Sequence, residues 1–245
     1  MVTQRLSWYT LRMKQPLPVH RVLGATLVLS GSLAMVSPST HPVAAAAGMP
    51  SLVARAVQNT NTARTVVHQD QSVLTTPVGT VKTHGQGIED EVHARKHLQE
   101  SIAVAIAGAD GKVRNLRYTV DLIFVPGFTY SRTSLAPRWT RQTGTAFADP
   151  YTGGWEHGRT AVSLPQGTQY RSLSTRARQT RAHFTFANRT ARGTLDLWIE
   201  GRTPYVVREE ETLNAVSGPS GSEHLQIAFG PFDRPVTIVP PRTPR

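Results

Sequence analysis

The sequence predicts a mainly β protein: a curved antiparallel meander sheet with one short N-terminal helix and a loop-rich flap. Three observations lead there. Leu116, Tyr118, Val120, Leu122 and Phe124 alternate with Asn115, Arg117, Thr119 and Asp121, a period of two that fits a strand with one buried face. Leu195, Leu197 and Ile199 repeat the pattern against Thr194, Asp196, Trp198 and Glu200. Finally, turn chemistry punctuates the chain at short intervals, as in Ala109-Asp-Gly-Lys112 and Pro126-Gly127.

The elements follow in order. Arg5, Arg12, Lys14 and Arg21 precede an apolar run over 22–36 that is too short for a comfortable membrane span of about 20 residues. Ala44-Ala-Ala-Ala47 then offers the small residues that signal peptidase needs. Residues 1–47 are therefore expected to be a secretory signal peptide, cleaved between Ala45 and Met49, with an uncleaved anchor as the alternative. Residues 48–245 form the expected domain. Four of the 27 Lys and Arg residues lie in the leader, which leaves 23 against 16 acids, a net +7. Such a charge suits peripheral contact with an anionic membrane or cell-wall polymer. The chain has no cysteine, so the exported domain must be held without disulfides.

Pro50–Gln58 reads as the one helix, with Leu52, Val53, Ala56 and Val57 on a shared face. The Asn-Thr-Asn-Thr run at 59–62 is expected to end it. Strands are expected over Thr65–Leu74, Gly79–Ile88 and Val92–Ala107, the last presenting Ile102, Val104 and Ile106 on one side. Residues 142–180 show no period and are expected to be irregular. Arg181–Asn188 returns to strand, with Phe184 and Phe186 facing one way. Further strands follow at Tyr205–Glu211 and across Leu225, Ile227 and Phe229.

Gly193-Thr-Leu-Asp-Leu-Trp-Ile199, Arg208-Glu-Glu210 and Phe229-Gly-Pro-Phe-Asp-Arg-Pro-Val-Thr-Ile-Val-Pro-Pro241 resemble the closing hairpins of the lipid-carrier superfamily that includes LolA and the LppX/LprAFG lipoproteins. Tyr130, Arg132 and Trp139 resemble another short element of that family. The resemblance implies a half-barrel that holds acyl chains of lipids or lipoproteins. The chain lacks the lipobox cysteine of the LppX/LprAFG relatives, so tethering by acylation is not available to it.

About ten antiparallel strands with one apolar face each would curl into a trough, which one helix covers incompletely. The trough would be lined by Ile102, Val104, Ile106, Leu116, Tyr118, Val120, Leu122 and Phe124 from the first half of the sheet. Phe184, Phe186, Leu195, Leu197, Ile199, Leu225, Ile227 and Phe229 would line it in the second. An open apolar trough would hold a lipid or acyl chain. The expected function is thus an exported, non-enzymatic carrier or sensor in the cell envelope. The alternative is a closed β core that docks another envelope protein.

Other chemistries fit poorly. Ser220 lies in Gly218-Pro-Ser-Gly221, one residue short of a nucleophile elbow. His93 and His97 are four apart, but on a strand that separates them by about 13 Å. Glu209, Glu210 and Glu211 alternate faces and read as a charged edge, so no metal or other cofactor is expected. The arginines between 171 and 192 match no nucleic-acid motif, and no nucleic-acid partner is expected. Asn188-Arg-Thr190 is formally a glycosylation acceptor, a triplet that arises often by chance. Trp198 should be a packing platform for arginine side chains.

Overall fold

The computed structural model describes residues 48–108, 110–144, 162–216 and 220–242, and the backbone of 146–149 and 153–156. The expected leader, its cleavage site and residues 217–219 lie outside the described residues. One helix, α1 (Ser51–Thr62), precedes β1 (Thr65–Thr76), β2 (Gly79–Asp90), β3 (Arg95–Ala107), β4 (Val113–Val125), β5 (Phe128–Thr133) and β6 (Ala136–Thr143). A small hairpin, β7 (Ala146–Asp149) and β8 (Gly153–Glu156), follows. Then come β9 (Gln169–Arg176), β10 (Gln179–Ala187), β11 (Ala191–Glu200), β12 (Tyr205–Ala215) and β13 (Ser222–Phe232). Eleven strands form one curved, open antiparallel sheet in the order β6-β5-β4-β3-β2-β1-β13-β12-β11-β10-β9. This is the β-rich, half-barrel-like class that the alternation predicts.

The sheet is two meanders back to back. One runs outward from β1 to the edge at β6, the other from β13 to the edge at β9, and the pairing of β1 with β13 joins them. That pairing starts near Val66 and Phe232 and breaks register once, between Val66 and His68. Asp233 locks the same corner: its carboxylate accepts from the Arg64 N–H at 2.7 Å and from the Tyr205 hydroxyl at 2.9 Å. The Tyr205 and Phe232 rings stack 4.3 Å apart beside it.

Three expectations need correction. The helix does not stop at Gln58 but runs to Thr62. Tertiary contacts override the poor propensity of the Asn-Thr run. Asn59 donates to the Pro204 carbonyl at 2.8 Å, the Thr60 hydroxyl accepts from the Val206 N–H at 2.8 Å, and Asn61 exchanges bonds with Val162. Residues 142–180 are also not irregular throughout. They hold the end of β6, the β7–β8 hairpin and β9, whose residues are exposed on both sides except for Tyr170 and which therefore shows no hydrophobic period. The third strand begins at Arg95 rather than Val92, because Asp90 accepts from the His93 N–H and closes a turn over 91–94.

Strand parity sorts the buried residues onto two faces. On one, α1 lays Val53, Ala56 and Val57 against Val66, Leu195, Leu197, Val206 and Phe229, with Val162 in the same cluster. A second cluster on this helix face lies on β3 and β4, around Ile102, Leu122 and Phe124. The opposite, outer face carries a smaller cluster of Ile123, Val125 and Tyr130, capped by Ile238 from the C-terminal tail. Arg95 fastens that tail by donating to the Ile238 carbonyl at 2.9 Å. The Pro-Val-Thr-Ile-Val-Pro-Pro segment thus crosses the outer face without forming a strand.

Candidate functional site

The sixteen residues expected to line a trough all lie on the helix face, because the register aligns them. Ile102 pairs with Tyr118, Val104 with Leu116, and Phe184 with Leu195. They divide into two groups. Ile102, Val104, Tyr118, Val120, Leu122 and Phe124 are buried on β3 and β4, with Ile106 and Leu116 partly buried beside them. Phe184, Leu195, Leu197, Ile199 and Phe229 belong to the cluster under α1, with Ile227 partly buried against it. Phe186 is also buried, and its ring occupies the space that a side chain at Gly193 would fill. Leu225 is partly buried between Ser72 and Glu211.

Between these groups the same face carries polar residues that the alternation did not single out. One register row runs Leu197, Glu209, Ile227, Asp70, Gly85, Glu100, Val120. The next places Glu211 beside Leu225 and Ser72. Glu209 and Glu211 therefore sit in a central strand and point inward, not along a charged edge; Glu210 alone points outward, where it pairs with Arg208 at 2.8 Å. A register shift between Trp198 and Ile199 leaves Val207 as the extra residue of a bulge, and this sets the facing of the glutamates.

Two glycines make room for the inward polar groups. A Cβ on Gly87 would stand 2.1 Å from the His68 ring, and one on Gly85 would stand 2.8 Å from an Asp70 carboxylate oxygen. The strand pattern Gly85-Gln-Gly87 is the one sequence signal of this arrangement, since alternate glycines on one face mark close approach of neighbouring groups. Lys96 reaches Glu89 at 3.0 Å, and both are buried. The His68 Nδ1 lies 3.8 Å from the same carboxylate and makes no hydrogen bond. Burial outweighs the pull of Glu89 and lowers the His68 pKa to about 4, so the ring is neutral near pH 7 and the contact is not an ion pair.

The carboxyls beyond that pair are shifted the other way. Burial, then repulsion from Glu211, raises the pKa of Glu209 to about 8. Burial and Glu223 raise that of Glu211 to about 7. Burial also pushes Asp70 and Glu223 up. Glu209 is only 4% exposed, and its Oε2 has no hydrogen-bond partner. A carboxyl held neutral in this way both donates and accepts a hydrogen bond, and suits the polar end of a guest better than a cation. Among the described residues, no three His, Cys, Asp or Glu side chains are grouped to hold a metal ion.

Most of the remaining singled-out residues have structural partners. His97 bonds the Asp121 carboxylate at 2.8 Å and His93 that of Asp90 at 2.6 Å. Asn188 closes the β10–β11 turn by accepting from the N–H groups of Thr190 and Ala191. Ser220 is exposed just before β13. Trp198 lies between the Arg181 and Arg208 guanidinium groups, at 5.5 and 4.6 Å from its ring. No family model matches the chain, and no curated protein matches it. Among the described residues, no helix is long and apolar enough to cross a membrane.

Proposed function

We propose that this protein is an exported, non-enzymatic carrier or sensor that holds a lipid or an acylated partner on the helix face of its sheet, in the cell envelope. The observation that carries this reading is the asymmetric cover of that face. The helix packs against β12 and the C-terminal meander, whereas the apolar cluster on β2–β4 is built of sheet residues alone among those described. The likeness of the C-terminal motifs to the LolA and LppX/LprAFG carriers supports the same reading. The neutral carboxyl of Glu209, with a partly protonated Glu211 next to it, would meet the polar end of the guest beside its chain. Burying ten methylenes would contribute about 8 kcal/mol before entropic costs, enough for micromolar binding.

A second reading has its own support. Ile102 and Phe124 are fully buried, and of two depressions open to the described residues one touches only Val120 of the expected lining and the other none. A closed core of this kind would make the domain a docking module for another envelope protein.

One experiment separates the two. Full-length protein expressed with its leader and purified without detergent is extracted with organic solvent, and the extract is examined by mass spectrometry. A fluorescent fatty-acid probe is titrated in parallel. The carrier reading expects co-purifying lipid or saturable probe uptake that Leu116→Trp weakens, since Leu116 borders the second cluster and is only partly buried. No extractable lipid and no uptake would leave the docking module.

A further inference from the structure

The outer face of β1–β5 carries a depression of about 580 Å³ with a lining unlike that of the helix face. One register row, Gln69, Gln86, Gln99, Asp121 and Arg132, crosses five strands. At an interstrand spacing of about 4.8 Å this is a groove roughly 19 Å long. Ser101 and Thr119 form the adjoining row on the same face. A smaller depression of about 90 Å³ shares Gln86 and Gln99, and so extends the groove toward Ile88.

The polar groups are held in place. Gln86 donates to Gln99 at 2.8 Å. Asp121 accepts from Arg132 at 2.7 and 3.0 Å, and its other oxygen bonds His97 at 2.8 Å. The Arg132 guanidinium in turn lies 4.6 Å over the Trp139 ring. Hydrogen bonds from His97 and Arg132 outweigh burial and keep Asp121 below its ordinary pKa, hence ionised and accepting.

We propose that this groove binds an uncharged polyhydroxylated chain, a glycan of neutral sugars. Three features select that class. The floor is made of paired strands whose backbone groups are engaged in the ladder, so an added β-strand finds no partner and only side chains can contact a ligand. Among the described residues, Val120 and Pro137 are the only apolar ones in the lining besides Gly85, too few to hold an acyl chain. The single arginine is already matched by Asp121, which leaves no net cation for an anionic ligand. What remains on the outer face is a set of amides and hydroxyls with His84 beside Ser101, while Glu100 belongs to the helix-face row; these outer groups donate and accept hydrogen bonds, and sugar hydroxyls have the same dual capacity.

The test uses full-length protein with maltohexaose, mannohexaose and hexa-N-acetylchitohexaose as probes, read by isothermal titration and by tryptophan fluorescence, to which Trp139 beside Arg132 contributes. At least one probe should bind with a Kd of ~1 mM or tighter. Gln86→Ala combined with Gln99→Ala should weaken it by roughly tenfold or more, as expected for two lost side-chain hydrogen-bonding groups. Ser101→Trp should abolish binding by filling the groove. Ser101 is exposed on a strand that tolerates an aromatic residue, and circular dichroism checks that each variant folds. Fatty-acid uptake should be unchanged in Ser101→Trp, because Ser101 faces away from Ile102 and the helix-face cluster. No binding by any of the three probes overturns the proposal, and so does binding that survives Ser101→Trp.

Discussion

Asn61 and Val162 hold each other by two hydrogen bonds. The Asn61 amide donates to the Val162 carbonyl at 2.9 Å, and the Val162 N–H donates back to the Asn61 Oδ1 at 2.9 Å. Val162 belongs to the segment that leads from the β7–β8 hairpin to β9, and its side chain is fully buried with those of α1. One side chain near the helix C-terminus therefore fastens the connection between the two halves of the sheet. Asn61→Ala should leave two backbone groups of a buried residue without partners and lower stability by about 1–3 kcal/mol. Urea denaturation checks this, and an unchanged midpoint would show that the exchange carries no weight.

Gly87 and His68 give a second test. The imidazole occupies the space into which a side chain at 87 would project, 2.1 Å from the position of a Cβ. Gly87→Ala should destabilise the fold by roughly 1–3 kcal/mol through overpacking. Adding His68→Ala should recover part of that loss, since the smaller side chain removes the closest contact and leaves only Leu98 Cδ2 at 2.8 Å. Equal stability of the single and double variants would refute the packing relation.

The sheet was readable in the sequence because its strands alternate over long stretches, and the side-chain period of two survives wherever one face is buried. Leu116 to Phe124 and Leu195 to Ile199 are legible for that reason, and all sixteen expected lining residues share the helix face. Strand β9 was not legible, because it is an edge strand whose residues are exposed on both sides. The length of α1 was missed because Asn59, Thr60 and Asn61 obtain their partners from residues more than 100 positions away. The inward turn of Glu209 depends on a bulge at Val207, which leaves no mark on the hydrophobic pattern. The outer groove was hidden for a related reason: glutamines at 69, 86 and 99 become a row only once three strands are in register.

The β3–β4 reversal tests a local reading. Asp110-Gly111 suggested a tight turn, and Gly111 does adopt φ +73°, in a loop closed by the Gly108 N–H donating to the Lys112 carbonyl at 2.8 Å. The Asp110 carboxylate also accepts from the Lys112 N–H at 3.2 Å. Gly111→Val forces a β-branched residue into the left-handed region and should cost about 1–3 kcal/mol. Gly111→Asn should cost less than Gly111→Val, because asparagine enters that region more readily. Identical thermal midpoints for the two variants would contradict the assignment.

The inward carboxyls predict an unusual pH dependence. In the unfolded chain Glu209 ionises near 4.5, whereas in the folded protein it keeps its proton until about pH 8. Between those values the folded state binds the extra proton, so its stability is fully present below about pH 4.5 and is lost as pH rises through 8. Glu211 adds to the decline up to about pH 7. His68 acts in the opposite sense, but only between its unfolded value of 6.5 and its folded value of about 4. Asp121 and Asp196 are held low and are ionised in both states above pH 6.5. The window from pH 6.5 to 8 therefore excludes His68 and the lowered aspartates and is dominated by Glu209 and Glu211, with the raised Asp70 and Glu223 acting in the same direction. Across it Glu209 alone should lower the unfolding free energy by roughly 1–2 kcal/mol, with a slope that flattens as pH approaches 8. Glu209→Gln keeps the shape and removes the proton, so the variant should lose that part of the slope even if its stability at pH 6.5 is lower. Denaturation curves at several pH values give the slope directly, and parallel curves for the two proteins would mean that Glu209 is ionised in the folded state near neutral pH.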